Sequence, residues 1–208
     1  MARIVSVNVG SPEPIASRRG RPLLSAIRKH PVDGPVKVEG VNLAGDDQAD
    51  RSVHGGPDKA VYAYAREDAD WWEDVLGIDI PNAKFGENLT TEGLDVTGAV
   101  IGERWRVGTV ELEVCQPRYP CSKLGITFEN MKLVKLFGQA SRPGAYLRIV
   151  SEGTLAAGDE ITVVHRPEHG VTVSQVSDAV LKDRSLIALA LTAPELALDL
   201  RAEFQRAA

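Results

Sequence analysis

The chain is poor in cysteine: its 208 residues contain only Cys115 and Cys121. These two lie six positions apart, with no C-x-x-C pair and no histidine-rich tract, which argues against a structural zinc site. An iron–sulfur cluster needs about four cysteine ligands, more than this chain alone supplies. A disulfide between the two is disfavoured in a reducing compartment. Electrons for any redox chemistry are therefore expected to come from another protein.

The sequence also lacks an excess of basic charge and a long hydrophobic run. Its net charge of −5 argues against broad nucleic-acid binding, which needs a basic footprint. No apolar run approaches the roughly 18 residues of a membrane span, and the opening MARIVSVNVG alternates like a strand, unlike a signal peptide. With 43% hydrophobic and 25% charged residues, the composition is typical of one globular domain, or one domain with a small appendage. A cytoplasmic location is the default expectation.

Short alternating segments rich in β-branched and aromatic residues dominate the first 165 residues and predict strands. The predicted strands are 3–9, 35–43, 59–65, 104–108, 110–116, 145–150 and 159–165. One helix is predicted over 66–77, with an apolar face of Trp71, Trp72, Val75 and Leu76, and another over 128–138. The fold class expected is mainly β, a mixed or antiparallel β-barrel with small helical insertions.

The pattern changes after HRPEHG, where helix signals replace strand signals. TVSQ (172–175) and TAPE (192–195) both match the S/T-x-x-E/Q capping box, and Leu196, Leu200 and Phe204 recur every four residues. These signals predict three short helices, near 172–182, 185–191 and 193–206. Three such helices could form a DNA-binding helix-turn-helix. From residue 172 onward, however, the segment has four basic and five acidic side chains, a net charge of −1, which favours a packing or interaction module.

The segment QPRYPCSKL (116–124) concentrates the strongest chemical signal. Pro117 and Pro120 stiffen it and keep it out of a central strand. Cys121 lies between Arg118 and Lys123, and neighbouring cations favour the thiolate, which is the form that attacks electrophiles and binds metals. The segment could thus present a soft anionic ligand, or it could be a loop whose cysteine packs inward.

Three further segments carry candidate binding residues. In HGGPDK (54–59) a glycine pair could form an anion-binding nest and Lys59 could contact a phosphate, although a plain β-turn fits the same letters. In FGEN (85–88) Asn88 could orient a planar heterocycle. Arg142, followed by Tyr146, could bind a phosphate bidentately or could be a solvated loop residue.

The blocks HGGPDKAVYAY, FGENLTTEGL, QPRYPCSKL, RPGAYLRIVSEG and GDEITVVHRPEHGVTV follow one another in this order. Together they resemble the MOSC-domain family, named for the C-terminal domain of molybdenum cofactor sulfurase, and most closely its YiiM-type bacterial branch. The resemblance covers nearly the whole chain. It implies a MOSC β-barrel domain over 1–166 and a C-terminal three-helix module over 167–208.

The resemblance also implies a molybdenum cofactor of the molybdopterin type. In the family the cysteine of the P-R-x-P-C block is the proposed molybdenum ligand, which corresponds to Cys121 here, whereas Cys115 is expected to be structural. The cofactor-binding residues expected on this basis are His54, Gly55, Gly56, Lys59, Gly86, Asn88, Arg118, Lys123 and Arg142. Family annotation also mentions pyridoxal phosphate, but that association fits the separate sulfurase domain, which this chain lacks.

The activity implied is reduction of N-hydroxylated compounds such as hydroxylaminopurines and amidoximes. Cys121 would act at the metal, and Glu87 or His54 would protonate the leaving hydroxyl. The expected partners are a separate flavoprotein or ferredoxin-type reductase, the small substrate and a second copy of the chain in a homodimer. The alternative is a non-catalytic carrier, either of the cofactor or of sulfur as a Cys121 persulfide. A DNA-associated role for the terminal helices is a third, weaker hypothesis.

Overall fold

The computed structural model describes residues 1–18, 20–49 and 55–207, without the side chain of Arg18. The strands in these ranges are β1 (Arg3–Val9), β2 (Glu13–Arg18), β3 (Arg21–Ser25), β4 (His30–Pro31), β5 (Val36–Glu39), β6 (Asn42–Leu43), β7 (Val61–Ala65), β8 (Leu89–Glu92), β9 (Arg104–Val107), β10 (Val110–Pro117), β11 (Ala145–Ser151), β12 (Gly153–Leu155) and β13 (Ile161–His165). The α-helices are α1 (Arg66–Leu76), α2 (Ser122–Thr127), α3 (Lys132–Gln139), α4 (Val173–Leu181), α5 (Ile187–Ala190) and α6 (Leu198–Ala207). None of the helices described is both long enough and apolar enough to cross a membrane.

One large sheet organises the fold. Its strand order is β13-β9-β10-β11-β7-β8-β1-β4, and the β7–β8 pair is the parallel one among antiparallel neighbours. The sheet curls, because a bridge between Arg3 and Glu160 joins the start of β1 to the segment before β13. The mainly β fold with small helical insertions is therefore confirmed. The strand ladders of the described residues do not close completely into a barrel.

The middle of this sheet positions the site. Gln116 at the end of β10 pairs with Tyr146 on β11, and Tyr146 pairs with Tyr62 on β7. The sequence predicts these three strands because their alternating β-branched and aromatic residues fit a pleated, half-buried surface. The single strand predicted over 35–43 is wrong, since β5 and β6 form a hairpin that turns at Gly40, where φ is +60°.

The helical predictions have mixed outcomes. Helix α1 is confirmed and ends at Gly77 in the left-handed conformation, but Val75 is exposed and does not belong to its buried face. The helix predicted over 128–138 is present as α3 but begins four residues later, at Lys132; the sequence missed the short α2, which ends at Thr127, and Glu129 takes a φ of +51° between the two helices. That positive φ breaks the helical path between α2 and α3.

The C-terminal helices are present, with one changed boundary. The capping box at Thr172 is complete, with the backbone N–H of Gln175 bonded to the Thr172 side chain and the reciprocal bond also made. The second capping box starts no helix: α6 begins at Leu198. Directly before α6, Ala197 donates its backbone N–H to the carbonyl of Cys115, 3.0 Å away. The residues between TAPE and α6 are therefore hydrogen-bonded to β10 and do not form a helical turn.

A single buried apolar cluster unites the sheet with the C-terminal helices. It joins Trp105 and Leu112 of the sheet to Val176, Leu196 and Phe204 of the C-terminal segment. A second cluster, rich in aromatic residues, contains Tyr62, Tyr64, Trp72, Phe85 and Phe137 and lies beside the candidate site. The division into 1–166 and 167–208 stays a prediction, and the apolar residues of both parts belong to the same core.

Candidate functional site

The predicted segments meet at one cavity of about 320 Å³. It lies where β7, β10 and β11 end or begin and is bounded by loops from five parts of the chain. Its lining residues are Ser25, Ala26, Ile27, Lys29, Asp46, Asp47, Gln48, Ala49, Gly55, Lys59, Tyr62, Phe85, Gly86, Asn88, Arg118, Tyr119, Pro120, Cys121, Lys123 and Tyr146. The volume is within the range of small-molecule and cofactor sites.

The loop after β10 carries Cys121 to the wall of this cavity. β10 ends at Pro117, and Cys121 has an extended backbone (φ −133°, ψ 165°) directly before α2 begins at Ser122. Its thiol is free and partly exposed, and Lys123 lines the same cavity from the first turn of α2. The placement matches the interpretation of QPRYPCSKL as a rigid segment that presents a thiol.

Arg118 is an unusually situated cation. It is only 6% exposed, and its guanidinium carbon lies 5.3 Å from the ring centre of Tyr62 and 5.5 Å from that of Phe137. Among the described residues, its buried Nη1 has no hydrogen-bond partner and no carboxylate forms an ion pair with it. Burial lowers the pKa of Arg118, but the nearby Tyr62, Cys121 and Tyr146 more than offset this, so the net shift is upward. A buried guanidinium with an unsatisfied N–H and no ion pair is costly to the fold and suited to receiving an anion.

The glycine-rich segment reaches the cavity through Gly55 and Lys59. Gly55 and Gly56 have φ of +116° and +86°, a region that favours glycine, and a short 3₁₀ turn from Pro57 to Lys59 follows them. Gly56 does not line the cavity. His54, predicted as both a catalytic and a cofactor-binding residue, lies outside the described residues.

Asp58, next to Lys59, serves the fold. One carboxylate oxygen accepts from Arg148 at 2.8 Å, and the other accepts the backbone N–H of Leu198 at 2.9 Å. The backbone carbonyl of Asp58 accepts the Cys115 thiol at 3.1 Å. Asp58 thus fixes the cavity turn to the sheet and to the start of α6.

The three candidate residues of FGEN, Gly86, Glu87 and Asn88, differ in whether they line the cavity. Asn88 lines the cavity, but its side chain is engaged in the wall: Oδ1 accepts the N–H of Tyr62, and Nδ2 donates to Asp46 and to the carbonyl of Asn8. Gly86 also lines the cavity, and a Cβ there would meet Ile27 Cγ1 at 2.7 Å, so close packing of a neighbouring loop requires this glycine.

Glu87 does not line the cavity, and this is a correction to its predicted place. The side chain is buried, and its carboxylate accepts from the backbone N–H groups of Ala83 and Phe85 at 2.6 and 3.1 Å and from the Thr90 hydroxyl at 2.9 Å. Burial raises the pKa of Glu87. With three donors aimed at it inside the wall, the carboxylate holds the loop rather than facing a substrate.

Arg142 is likewise not brought to the cavity. Its guanidinium pairs with Asp68 of α1 and lies 4.8 Å from the ring centre of Trp71. The Asp68 carboxylate and the Trp71 indole therefore engage the guanidinium for which the sequence predicted a phosphate as partner. Tyr146, named beside it as a candidate, does line the cavity.

Sequence reasoning missed Lys29 and Asp46, two buried charged residues of the cavity wall. They form an ion pair, with side chains 8% and 1% exposed. Neither lies in a motif, and the loops that carry them gave no chemical signal apart from the charges themselves. Within the described ranges, no three His, Cys, Asp or Glu side chains are grouped so that they could hold a metal ion.

Comparison with known proteins identifies the family. The MOSC domain model matches residues 50–162. The protein YflK of Bacillus subtilis (strain 168) is 34% identical over 206 residues, covering 98% of this chain and 93% of YflK. The crystal structure of YiiM from Geobacillus stearothermophilus superimposes with a TM-score of 0.82 at 29% identity, covering 99% of this chain and 98% of that one.

A third relative has a name that refers to an activity. A Gibberella moniliformis protein named Reductase is 32% identical over 198 residues, which cover 91% of this chain but only 35% of the fungal protein. Matches over nearly the whole length in sequence and in structure agree with the family model. The chain belongs to the MOSC domain family.

Proposed function

We propose that this protein binds a molybdenum cofactor of the molybdopterin type in the cavity and reduces N-hydroxylated compounds with it. Membership of the MOSC domain family supports the cofactor, and the fungal relative named Reductase supports the reaction class. Cys121 would be the protein ligand of the metal. Electrons would come from a separate flavoprotein or ferredoxin-type reductase.

The observation that carries the proposal is that Cys121 and Arg118 line the same cavity. A molybdopterin is a planar, anionic molecule with a phosphate and sulfur donors. Arg118 offers a buried N–H without a partner among the described residues, and Lys59 and Lys123 add positive charge to the same lining. Tyr62 and Tyr146, with ring centres 5.2 Å apart, provide aromatic surface for a planar group. The residues present therefore fit the cofactor.

The overall reaction converts R–NHOH into R–NH2 and water and consumes two electrons and two protons. When bound, the cofactor would supply a two-electron redox centre. Cys121 would hold it through its sulfur, Arg118 would neutralise its negative charge, and the aromatic side chains would orient the substrate and exclude water.

The test is anaerobic turnover on protein purified from a host that makes the cofactor. Dithionite-reduced viologen would be the electron donor, and 6-hydroxylaminopurine and benzamidoxime the substrates. We expect one amine or amidine product for every two electrons consumed, and no product with Cys121→Ser. Metal-loaded wild-type protein that reduces neither substrate would contradict the catalytic proposal.

A carrier function is the second candidate, and the partly exposed thiol of Cys121 favours it. A carrier would hold the cofactor, or sulfur as a Cys121 persulfide, without turnover. Intact-protein mass spectrometry would detect the persulfide as the added mass of one sulfur atom, lost in Cys121→Ser. A carrier would bind the cofactor yet reduce no N-hydroxylated compound with any electron donor.

A further inference from the structure

The cavity wall contains an ion pair to which the proposed reaction assigns no role. Lys29 lies in the segment between β3 and β4, and Asp46 lies after β6. Both side chains line the cavity that holds Cys121, and the Lys29 ammonium donates to Asp46. At 8% and 1% exposure, this pair is far more enclosed than a surface salt bridge.

Asp46 is fixed by donors from three parts of the chain. One carboxylate oxygen accepts from Lys29 and from the backbone N–H of Gly10 at 2.8 Å, and the other accepts from Asn88 Nδ2 at 2.9 Å. Because both oxygens are already bonded, the carboxylate cannot easily turn toward a ligand. It serves as a fixed anchor for the ammonium.

The backbone under Lys29 is also held closely. A Cβ on Gly10 would meet the carbonyl oxygens of Ala26 and Arg28 at 3.1 Å and Lys29 Cγ at 3.2 Å. Two residues earlier, Ile27 fills the space at Gly86. The lysine stem therefore packs against Gly10, and the backbone before it packs against Gly86.

The ammonium of Lys29 retains donors for a ligand. It carries three N–H groups, and across the described ranges Asp46 is the partner recorded for it. Two N–H groups thus remain on the ammonium of a residue that lines the cavity. This arrangement combines a fixed orientation with unused donors.

Building on the proposed function, we propose that Lys29 donates a proton to the hydroxyl oxygen of the substrate as the N–O bond breaks. The proton moves from Lys29 Nζ to that oxygen, which leaves as water when the N–O bond breaks, and a second proton, from solvent, goes to the nitrogen to complete the amine; the two electrons would come from the bound cofactor. Solvent then reprotonates the neutral amine of Lys29. Asp46 is a positioning residue that holds Nζ in place. Glu87, engaged inside the wall, is not needed as the acid.

The electrostatic surroundings suit this role. Burial lowers the pKa of Lys29, and attraction to Asp46 and Glu87 opposes the shift without cancelling it. A lysine with a lowered pKa releases its proton more readily near neutral pH than an ordinary lysine does. The other titratable or charged side chains that line the cavity are Asp47, Lys59, Tyr62, Arg118, Tyr119, Cys121, Lys123 and Tyr146.

The chain contains a matched control on its surface. Lys37 pairs with Glu39, with side chains 62% and 52% exposed, and the pKa of Lys37 is raised by its hydrogen bond to Glu39. Lys37→Met removes the same kind of charge pair without touching the cavity. It should leave turnover, metal content and the pH profile unchanged.

The experiment compares wild type with Lys29→Arg, Lys29→Met, Asp46→Asn and Lys37→Met, each checked for molybdenum content and melting temperature. Lys29→Arg keeps the positive charge, but an arginine side chain does not release a proton at neutral or moderately alkaline pH. If Lys29→Met fails to fold because Asp46 is left unpaired, the double variant Lys29→Met/Asp46→Asn replaces it. An NMR titration of the Lys29 ammonium in the cofactor-free chain gives a readout independent of turnover.

The expected result is a kcat lower by roughly 10²- to 10⁴-fold in Lys29→Arg, with normal metal content. In wild type the rate should fall at alkaline pH as Lys29 deprotonates, and the NMR titration should follow the same curve. Asp46→Asn removes an attracting charge, so both curves should move to lower pH. If the alkaline limb belonged to another group, the rate curve would not move together with the NMR curve of Lys29.

Several results would overturn the assignment. Lys29→Arg with wild-type kcat, an alkaline limb that Asp46→Asn does not move, or a Lys29 ammonium that titrates no lower than that of Lys37 would each do so. If wild type reduces the substrates but the Lys29 variants reduce them equally well, only the Lys29 assignment fails. If loaded wild type reduces nothing, the proposed function fails and this assignment fails with it.

Discussion

Cys115 and Cys121 lie six positions apart but have different surroundings. Cys115, inside β10, is fully buried, and its thiol contacts the carbonyl oxygens of Asp58 and Tyr146 at 3.1 and 3.4 Å. Burial raises the pKa of the Cys115 thiol well above its ordinary value. Cys121, past the end of the same strand, is partly exposed at the cavity.

The same contrast extends to the residues around each cysteine. Polar groups near Cys115 are paired, for example Arg148, which contacts both Asp58 and Glu113. Near Cys121, the Arg118 Nη1 and the Tyr119 hydroxyl are buried without partners among the described residues. The polar groups named around Cys115 thus satisfy one another, whereas the loop after β10 leaves donors available. Buried unpaired groups in a native structure call for an explanation, and ligand binding supplies one.

The largest contrast should be in thiol reactivity. In the native chain we expect a thiol reagent to modify Cys121 and to spare Cys115 by orders of magnitude in rate, because the thiolate is the reactive form and Cys115 is buried and protonated. Since its pKa is raised, Cys115 should stay protected as pH rises through the range where an ordinary thiol ionises. Reagent counting in native and denatured chains checks this, with Cys121→Ser as control. Two thiols that react equally in the native chain would remove the contrast.

Cys121→Ser should have the next largest effect. Losing the sulfur ligand should reduce activity by at least the roughly 10- to 100-fold typical of changes that only support a metal ligand. The melting temperature should change little, since the side chain is partly exposed and away from the core. Steady-state assays and melting curves measured together would separate a lost ligand from a lost fold. Normal turnover in this variant would contradict the assignment.

Arg118→Met should weaken retention of the cofactor while leaving the cofactor-free chain as stable as wild type or more so. A hydrogen bond to a charged group contributes about 1.5–3 kcal/mol, roughly 10- to 150-fold in affinity. Without the cofactor the same guanidinium is a buried charge lacking an ion pair, which costs free energy. Metal content after dialysis and the Tm of the apo form check both halves. A large loss of apo stability would show that Arg118 serves the fold.

Cys115→Ser should have the smallest effect, a loss of stability of about 1 kcal/mol with activity near wild type. The hydroxyl can donate to one of the two carbonyl oxygens, but it replaces a group better suited to an apolar interior. Chemical denaturation and steady-state assays would measure the two quantities. A Cys115→Ser protein that is inactive but has normal metal content would reverse the roles given to the two cysteines.

The sequence predicted the central strands and the loop after β10 because both have local causes. Alternation in β10 and β11 reflects their pleat, and the prolines around Cys121 end the strand. Patterns that depend on distant contacts were less informative. TAPE matches a capping box, yet the residues that follow it form no helix until Leu198, because the backbone N–H of Ala197 is hydrogen-bonded to the carbonyl of Cys115.

The site was predictable by segment but not by side-chain direction. Gly86, Glu87 and Asn88 are adjacent in sequence, but the Glu87 carboxylate turns toward the N–H groups of Ala83 and Phe85. No sequence pattern encodes that choice. Lys29 and Asp46 are 17 positions apart in separate loops, and only the curl of the sheet and the loops around it bring them together.

The most direct test of the account is molybdenum per chain, measured by elemental mass spectrometry on wild type and Cys121→Ser purified side by side from a host that makes the cofactor. Cys115→Ser would serve as the matched control, since it changes the same atom at the buried site. Preparations without metal would be loaded with cofactor in vitro before measurement. The account predicts substantial metal in wild type and Cys115→Ser and little in Cys121→Ser. Equal metal in all three chains, or none in wild type after loading, would contradict it.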